Sequence, residues 1–297
     1  AGIEEADDAG ASPTTHSKIC YVSSFGVIIS LANHSTGGWN SQFNNSVLLF
    51  KSEFPNLMAK VEEELNEEYA GAFHSQNSTG NVYHYSPYGD TVELRFTPDD
   101  NDGSSNSGAN SISGRIRQLI DNAKESVFYL ADGWNTGGAG DGLVSSLTNN
   151  TKIVKLGVVS SDAVDNTILT TLKNNHTCRS DDRAYDPIHS KTFIIDNEIV
   201  ATGSPNFTQM AMTYTENTNA NDEAHLIIHD FRIARKYLQH FKQAFKKQAA
   251  ENIGQPDAFD STAPGKPTNL TVSPSADKFT LSWTAPTTNI SDFSRYY

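Results

Sequence analysis

The residues best suited to chemistry lie between Tyr185 and Asn206, in the stretch YDPIHSKTFIIDNEIVATGSPN. They are His189, Lys191, Asp196, Ser204 and Asn206. An imidazole can attack an electrophile or carry a proton near neutral pH. An ammonium, a hydroxyl and a carboxamide can together donate several hydrogen bonds to a tetrahedral anion. The run from Ile188 to Ile195 is mostly apolar and β-branched or aromatic, which predicts a buried strand. Residues two apart share a strand face, so His189 and Lys191 project the same way. Asp196-Asn197 supplies a turn. Glu198 to Thr202 then returns as a second strand and delivers Ser204 and Asn206 beside the histidine. Asp196 is expected to orient or cap the turn rather than touch a substrate.

A weaker copy of this pattern stands near the start of the sequence. His16 and Lys18 open an apolar strand reaching Val22, a return run spans Gly26 to Leu31, and Asn33 follows. The interval from His16 to Asn33 equals that from His189 to Asn206, which argues for an internal repeat. The copy is degenerate. Ser23 stands at the place of Asp196, and Ser30-Leu31 at that of Gly203-Ser204, so this half lacks the second hydroxyl.

The His-x-Lys, Asp and Gly-Ser-x-Asn spacing resembles the HKD signature of the phospholipase D superfamily. The resemblance covers about residues 14–248 and is strongest over 185–230. It implies an α/β fold: a pseudo-dimer of two αβα sandwich lobes with one pocket between the two motifs. It further implies metal-independent hydrolysis or transphosphatidylation of a phosphodiester through a phosphohistidine, with no cofactor. One histidine attacks phosphorus. The other protonates the leaving oxygen and then activates water or an alcohol. By the family's usual order His16 is the nucleophile and His189 the general acid, with the sequence leaving that order open. Lys18, Lys191, Asn33, Asn206 and Ser204 would hold the phosphate. Glu223 stands where some members carry a carboxylate that orients a histidine; a solvated loop acid is the alternative.

The elements that must position these groups follow from periodicity. Ser46–Phe50 and Ala224–Ile228 read as equivalent core strands, each followed by an amphipathic helix, Phe54–Glu68 and Phe231–Lys247. The first helix has an acidic outer face and the second a basic one. Between them, Thr91–Phe96, Ser126–Ala131 and Lys152–Val159 read as strands, and Ile112–Lys124, Gly142–Asn149 and Asp165–Asn174 as helices. That alternation predicts a parallel or mixed sheet covered by helices. Residues 74–90 read as a polar linker. Pro98–Ala109 reads as a plain surface loop in preference to a calcium site, because the EF-hand pattern and its closing Glu are missing.

The expected domains are a carboxyl-terminal part of a first lobe (1–75), a linker (76–81), a second lobe (82–250), a linker (251–267) and a tail (268–297). Ahead of His16 there is little sequence compared with the stretch ahead of His189. The first lobe is therefore expected to be truncated, lacking ~90 upstream residues on the repeat length, the alternative being a family variant with a reduced first lobe. Asn269–Val272 and Phe279–Trp283 alternate as two strands, and with Pro264, Pro267 and Pro286 they resemble the opening of a fibronectin type III domain. Such a domain needs about seven strands, so the tail is expected to be marginal by itself.

Net charge is −13 over 297 residues, which argues against broad capture of nucleic acid and leaves room for a local basic pocket. The two cysteines, Cys20 and Cys178, form no disulfide framework and no metal-ligand spacing, and their pairing is open. No run of eighteen apolar residues predicts a membrane span. The substrate expected is a phosphodiester, a phospholipid head group first, for a secreted or cell-surface enzyme. The alternatives are a nuclease of the same superfamily, disfavoured by charge, and a non-catalytic binding module whose first motif has decayed.

Overall fold

The structure, a computed structural model, describes residues 15–35, 42–71, 73, 82–85, 91–97, 111–181, 187–212, 220–248, 268–274 and 279–284. The chain divides into two compact units, residues 1–254 and 255–297.

In the first unit, strands β1 (Ile19–Val22), β2 (Gly26–Ser30) and β3 (Ser46–Phe50) form an antiparallel meander, followed by helix α1 (Pro55–Tyr69). Strands β4 (Val82–Tyr85) and β5 (Thr91–Thr97) come next, then α2 (Ile112–Asn122), β6 (Ser126–Ala131), α3 (Gly138–Asn149), β7 (Val154–Val159), α4 (Asn166–Asn175) and β8 (Thr177–Ser180). The second motif lies on β9 (Lys191–Ile195) and β10 (Ile199–Gly203). It is followed by the short α5 (Gln209–Met212), β11 (Glu223–His229) and α6 (Phe231–Lys247). An eight-stranded mixed sheet runs in the order β4-β5-β11-β10-β9-β6-β7-β8. Its centre is buried on both faces: all five residues of β9 and all six of β6 are buried.

Helix starts follow local chemistry. Ser111, Asp165 and Asp230 each cap a helix by accepting from a backbone N–H of its first turn. Gly157 sits against the Tyr129 ring, where a Cβ would come within 2.0 Å of Cζ. Only a hydrogen side chain leaves Tyr129 room to reach His176, at 2.7 Å from its Nε2.

The repeat expected from the motifs recurs in three dimensions. Cys20 pairs with Ile28 and Ile28 with Leu48; Phe193 pairs with Ala201 and Ala201 with Ile227. Each meander is followed by its helix. One face of the first meander packs with α1 and with Val92, Leu94, Phe96, Ala224, Leu226 and Ile228 of the large sheet. The second meander is buried on its other face as well, against a core that includes Ile116, Leu143, Phe193, Phe207 and Ile227. Among the described residues the first half is a meander with one helix rather than an αβα sandwich.

One expectation needs correction, and two short elements are additions to it. Part of the stretch read as a linker is strand β4, which pairs with β5. Strand β8 and helix α5 were not foreseen, because four-residue elements carry too little periodicity to register. The 98–109 loop and the 251–267 linker lie outside the described residues. In the second unit β12 (Thr268–Pro274) and β13 (Phe279–Thr284) form an antiparallel pair at the two places expected to be strands. Among the described residues no helix is long and apolar enough to cross a membrane.

Candidate active site

The site is built by a crosswise exchange between the two halves. The segment entering the first motif bridges the segment entering β11, with Thr15 opposite Asp222. The segment entering the second motif bridges the segment entering β3, with Ile188 opposite Phe43. Backbone bonds fix both crossings. His16 N and Ser17 N donate to Asp222 O at 2.9 and 2.7 Å, and His189 N donates to Phe43 O at 3.2 Å. The next residue along each crossing reaches a motif histidine. His16 Nδ1 lies 2.8 Å from a Glu223 carboxylate oxygen. His189 Nδ1 lies 3.1 Å from Asn44 Oδ1.

The two lysines behave alike. Lys18 Nζ donates to His16 O at 2.5 Å, and Lys191 Nζ donates to His189 O at 2.7 Å. Both are buried, and each ammonium feels the other half. Lys18 is pushed down to about 8, by burial first and by the charge of Lys191, against the pull of Glu223 and Asp132. His189 is pushed down to about 4, by burial first and then by Lys191, with Lys18 and His16 adding to it and Asp132 opposing. The two motifs therefore share one electrostatic environment. Burial alone would raise the Glu223 carboxyl. The hydrogen bond and charge of His16, with Ser204 and Lys18, outweigh it and hold the group below its usual range.

The placements divide the expected residues. His16, Lys18, His189, Lys191 and Glu223 are placed where they act on one another, and Glu223 is a fully buried partner of His16 rather than a solvated loop acid. Asp196 acts as a cap, as expected. Its carboxylate accepts from the backbone N–H groups of Lys124, Glu125 and Ser126 at 2.7–3.1 Å and so ties the β9–β10 turn to the start of β6. Asp196 and Asn197 have φ of 52° and 57°, the left-handed pair that a tight hairpin needs.

Ser204 is a correction. Its hydroxyl is fully buried, accepts from Ala224 N at 3.0 Å and supports Glu223, so it stands behind the carboxylate rather than facing a substrate. Gly203 permits this, since a Cβ there would lie 2.3 Å from Ala224 O. Asn206 accepts from Gly133 N through Oδ1 at 3.2 Å, tying the end of the second motif to the loop after β6. Asn33 is a second correction: it is exposed, and among the described residues its side chain makes no hydrogen bond to the other site residues. The local reason is Ser30, whose hydroxyl accepts from Ala32 N at 3.0 Å and meets Ser46 Oγ at 2.8 Å. That local bond turns the chain after β2 differently from the glycine in the second motif.

Two residues escaped sequence reasoning. Asp132, just past the end of β6, accepts from Lys191 Nζ at 3.1 Å and has Oδ2 3.7 Å from His189 Nε2. A carboxylate at the carboxyl end of a buried strand was the available signal. Asn44 gave none, because its only distinction is the partner that the crossing hands it. By the internal symmetry it stands where Glu223 stands in the other half. Among the described residues no group of three or more His, Cys, Asp or Glu is placed to hold a metal ion. Both cysteines are free, Cys20 exposed and Cys178 buried.

Residues 142–245 match the family described as cardiolipin synthase, PLD-like domain. No curated protein matches the chain. Among solved structures, the fold resembles a phosphatidylserine synthase from Haemophilus influenzae, with TM-score 0.54 and 10% identity over 79% of this chain and 62% of that one. The chain thus spans less than two thirds of that protein. Nuc, a phospholipase D family member from Salmonella typhimurium, matches with TM-score 0.39 and 20% identity over 53% of this chain and 95% of that one. NucT from Helicobacter pylori matches with TM-score 0.42 and 16% identity over 53% and 96%.

Proposed function

Starting from a chain that carries a PLD-like domain, we propose that it is a phosphodiesterase working through a phosphohistidine, with a phospholipid as its first substrate class. One observation carries the reading. Two His-x-Lys motifs, far apart in sequence, present both imidazoles and both ammonium groups to one environment.

The two histidines differ in their partners, and the difference supports a division of roles. Glu223 accepts from His16 Nδ1–H, which leaves Nε2 as the nitrogen that carries the lone pair. His16 Nε2 attacks phosphorus and forms the P–N bond as the P–O bond to the leaving group breaks. His189 has a neutral partner in Asn44 and sits near 4, so it enters the free site without a proton. The incoming phosphodiester anion offsets Lys18 and Lys191, whose charges help hold His189 down. His189 then takes up a proton with the substrate and delivers it to the leaving oxygen. Afterwards it takes a proton from water or an alcohol, which displaces His16 from phosphorus. Lys18 and Lys191 stabilise the charge on the non-bridging oxygens.

The family description favours a lipid substrate and an alcohol acceptor. The net charge of −13 disfavours a polyanion such as DNA. Export to the cell surface and a fibronectin type III-like tail belong to the same proposal; the β12–β13 pair is what supports the tail. The pseudo-dimeric two-lobe arrangement rests on the shared register of the two meanders. The domain boundaries at 75, 82, 250 and 268 are proposed with it. The degenerate first motif, with Ser23, Leu31 and Asn44, supports a second reading as a non-catalytic binding module.

The test is one preparation assayed on phosphatidylcholine vesicles and on plasmid DNA, with EDTA present, followed by acid-labile trapping of labelled phosphate. The proposal expects turnover of the vesicles and label on the peptide containing His16. Turnover of DNA alone moves the chain to the nuclease class. Absence of label and turnover on both leaves the binding module.

A further inference from the structure

Helix α6 carries six cations and no anion: Arg232, Arg235, Lys236, Lys242, Lys246 and Lys247, in a chain of net charge −13. All six are exposed. Arg232, Arg235, Gln239, Lys242 and Lys246 follow one another at steps of three and four residues, so they form one row along the helix. Lys236, Gln243 and Lys247 form the row beside it. From Arg232 to Lys246 the row runs about 21 Å at the α-helical rise. The opposite side, with Ala234, Phe241, Ala244 and Phe245, is buried in the protein.

Neither the fold nor the helix requires these charges. Helix α1 follows the first meander as α6 follows the second, yet it holds five Glu and one Lys, and that Lys60 is buried. The two helices share only an apolar side. Lys246 and Lys247 lie in the last turn, where cations suit the helix dipole. Arg232 lies in the first turn, where the dipole disfavours it, and Asp230 offsets it at 2.8 Å. Arg232 with Lys236, and Lys242 with Lys246, are like charges four residues apart, and such pairs destabilise a helix.

We propose that the outer side of α6 is a docking face for an anionic phospholipid bilayer. A bilayer presents many negative charges on a plane, which a convex row of cations meets at once, and each Lys or Arg near that plane adds attraction. Phe231, 45% exposed, stands at one end of the row, with the Arg235 guanidinium 5.4 Å from its ring centroid. An exposed aromatic among cations suits the headgroup region. A single-stranded nucleic acid needs instead a groove with stacking aromatics along it. From Arg232 to Lys247 the exposed positions hold only cations and Gln. The face also adjoins the site. Lys247 Nζ lies 5.1 Å from the centroid of the Phe43 ring, on which His240 stacks at 5.4 Å. Phe43 O accepts from His189 N and Ser190 Oγ, and Asn44 meets the His189 ring. Docking on α6 therefore brings lipid next to the segment that places His189. The choice of a lipid rests on the phosphodiesterase reading above; the docking is measured as binding, so the two fail separately.

The test is sedimentation of the full chain with two kinds of vesicle, phosphatidylcholine alone and phosphatidylcholine with about a third phosphatidylglycerol, in EDTA. The chain is expected to bind the second kind, more weakly as salt rises, and not the first. Arg235→Gln, Lys236→Gln and Lys246→Gln together are expected to weaken that binding about a hundredfold and to leave the Tm unchanged. Lys236→Arg with Lys246→Arg is expected to bind as the parent does. Lys124→Gln with Lys152→Gln, at exposed cations elsewhere, is expected to change the affinity by less than about twofold. Equal binding to the two vesicles overturns the proposal, and so does an unchanged affinity in the triple variant. Displacement of the vesicles by plasmid DNA, with DNA binding lost in the same triple variant, overturns it in favour of a nucleic acid. Binding of the anionic vesicles without turnover supports the docking face and counts against the reaction alone.

Discussion

Replacing His16 by Ala should destabilise the protein far more than replacing His189, although the two residues are equivalent in the repeat. The reason is Glu223, which has no exposure and relies on His16 at 2.8 Å. Without His16 its carboxylate retains Asn221 Nδ2 at 3.1 Å, with Ser204 and the charge of Lys18 nearby. Removing a hydrogen-bond partner from a buried carboxylate leaves the charge under-satisfied, which costs about 3 kcal/mol for a charged group. His189→Ala loses a neutral hydrogen bond to Asn44, worth about 1 kcal/mol. The gap of about 2 kcal/mol is a factor of roughly 30 in the folding equilibrium.

Urea unfolding of both variants at pH 7 measures this gap, and pH supplies the check of cause. In the parent, the folded pKa of Glu223 is depressed. Its stabilisation is full above the unfolded carboxylate value near ~4.3 and is lost as pH falls through the lower folded value. In His16→Ala the same carboxyl is forced the other way, so its penalty shrinks as acid protonates it. Adding Glu223→Gln to His16→Ala should recover most of the loss at pH 7. Equal destabilisation of the two histidine variants at all pH values, or no recovery with Gln, would refute the account. Both single variants should abolish phosphodiester turnover.

Three further outcomes follow from the structure. His225 is buried, has no hydrogen-bond partner for either ring nitrogen among the described residues, and is held down to about 3 by burial and by Arg95. The unfolded chain therefore binds the extra proton between about pH 3 and the ordinary histidine value of 6.5, and stability falls as pH drops through that window. His225→Leu should flatten that fall, by up to about 5 kcal/mol over the whole window, in pH-dependent denaturation. Asp132→Asn removes the carboxylate that competes for Lys191, so the Kd for inorganic phosphate should drop about tenfold by calorimetry. An unchanged Kd would place the phosphate elsewhere. Gly157→Ala drives a Cβ into the fully buried Tyr129 ring and should cost about 1–3 kcal/mol, read as a lowered Tm.

The sequence by itself determined the two His-x-Lys motifs, the strands that carry them, the turn at Asp196 and the repeat that makes the halves equivalent. These depend on two-residue and 3.6-residue periods and on turn residues, which are local properties of the chain. It also placed Glu223 at the right point without being able to say whom it meets. Only the tertiary structure decided the partners. His16 finds Glu223 across 207 positions and His189 finds Asn44 across 145, and no local pattern encodes a contact at that distance. The same holds for Ser204, which a motif reading turned toward the substrate and the β10–β11 pairing turned inward. It holds for Asn33, released by a local Ser30 bond. The unequal chemistry of two equal-looking histidines arises because each half is completed by residues of the other.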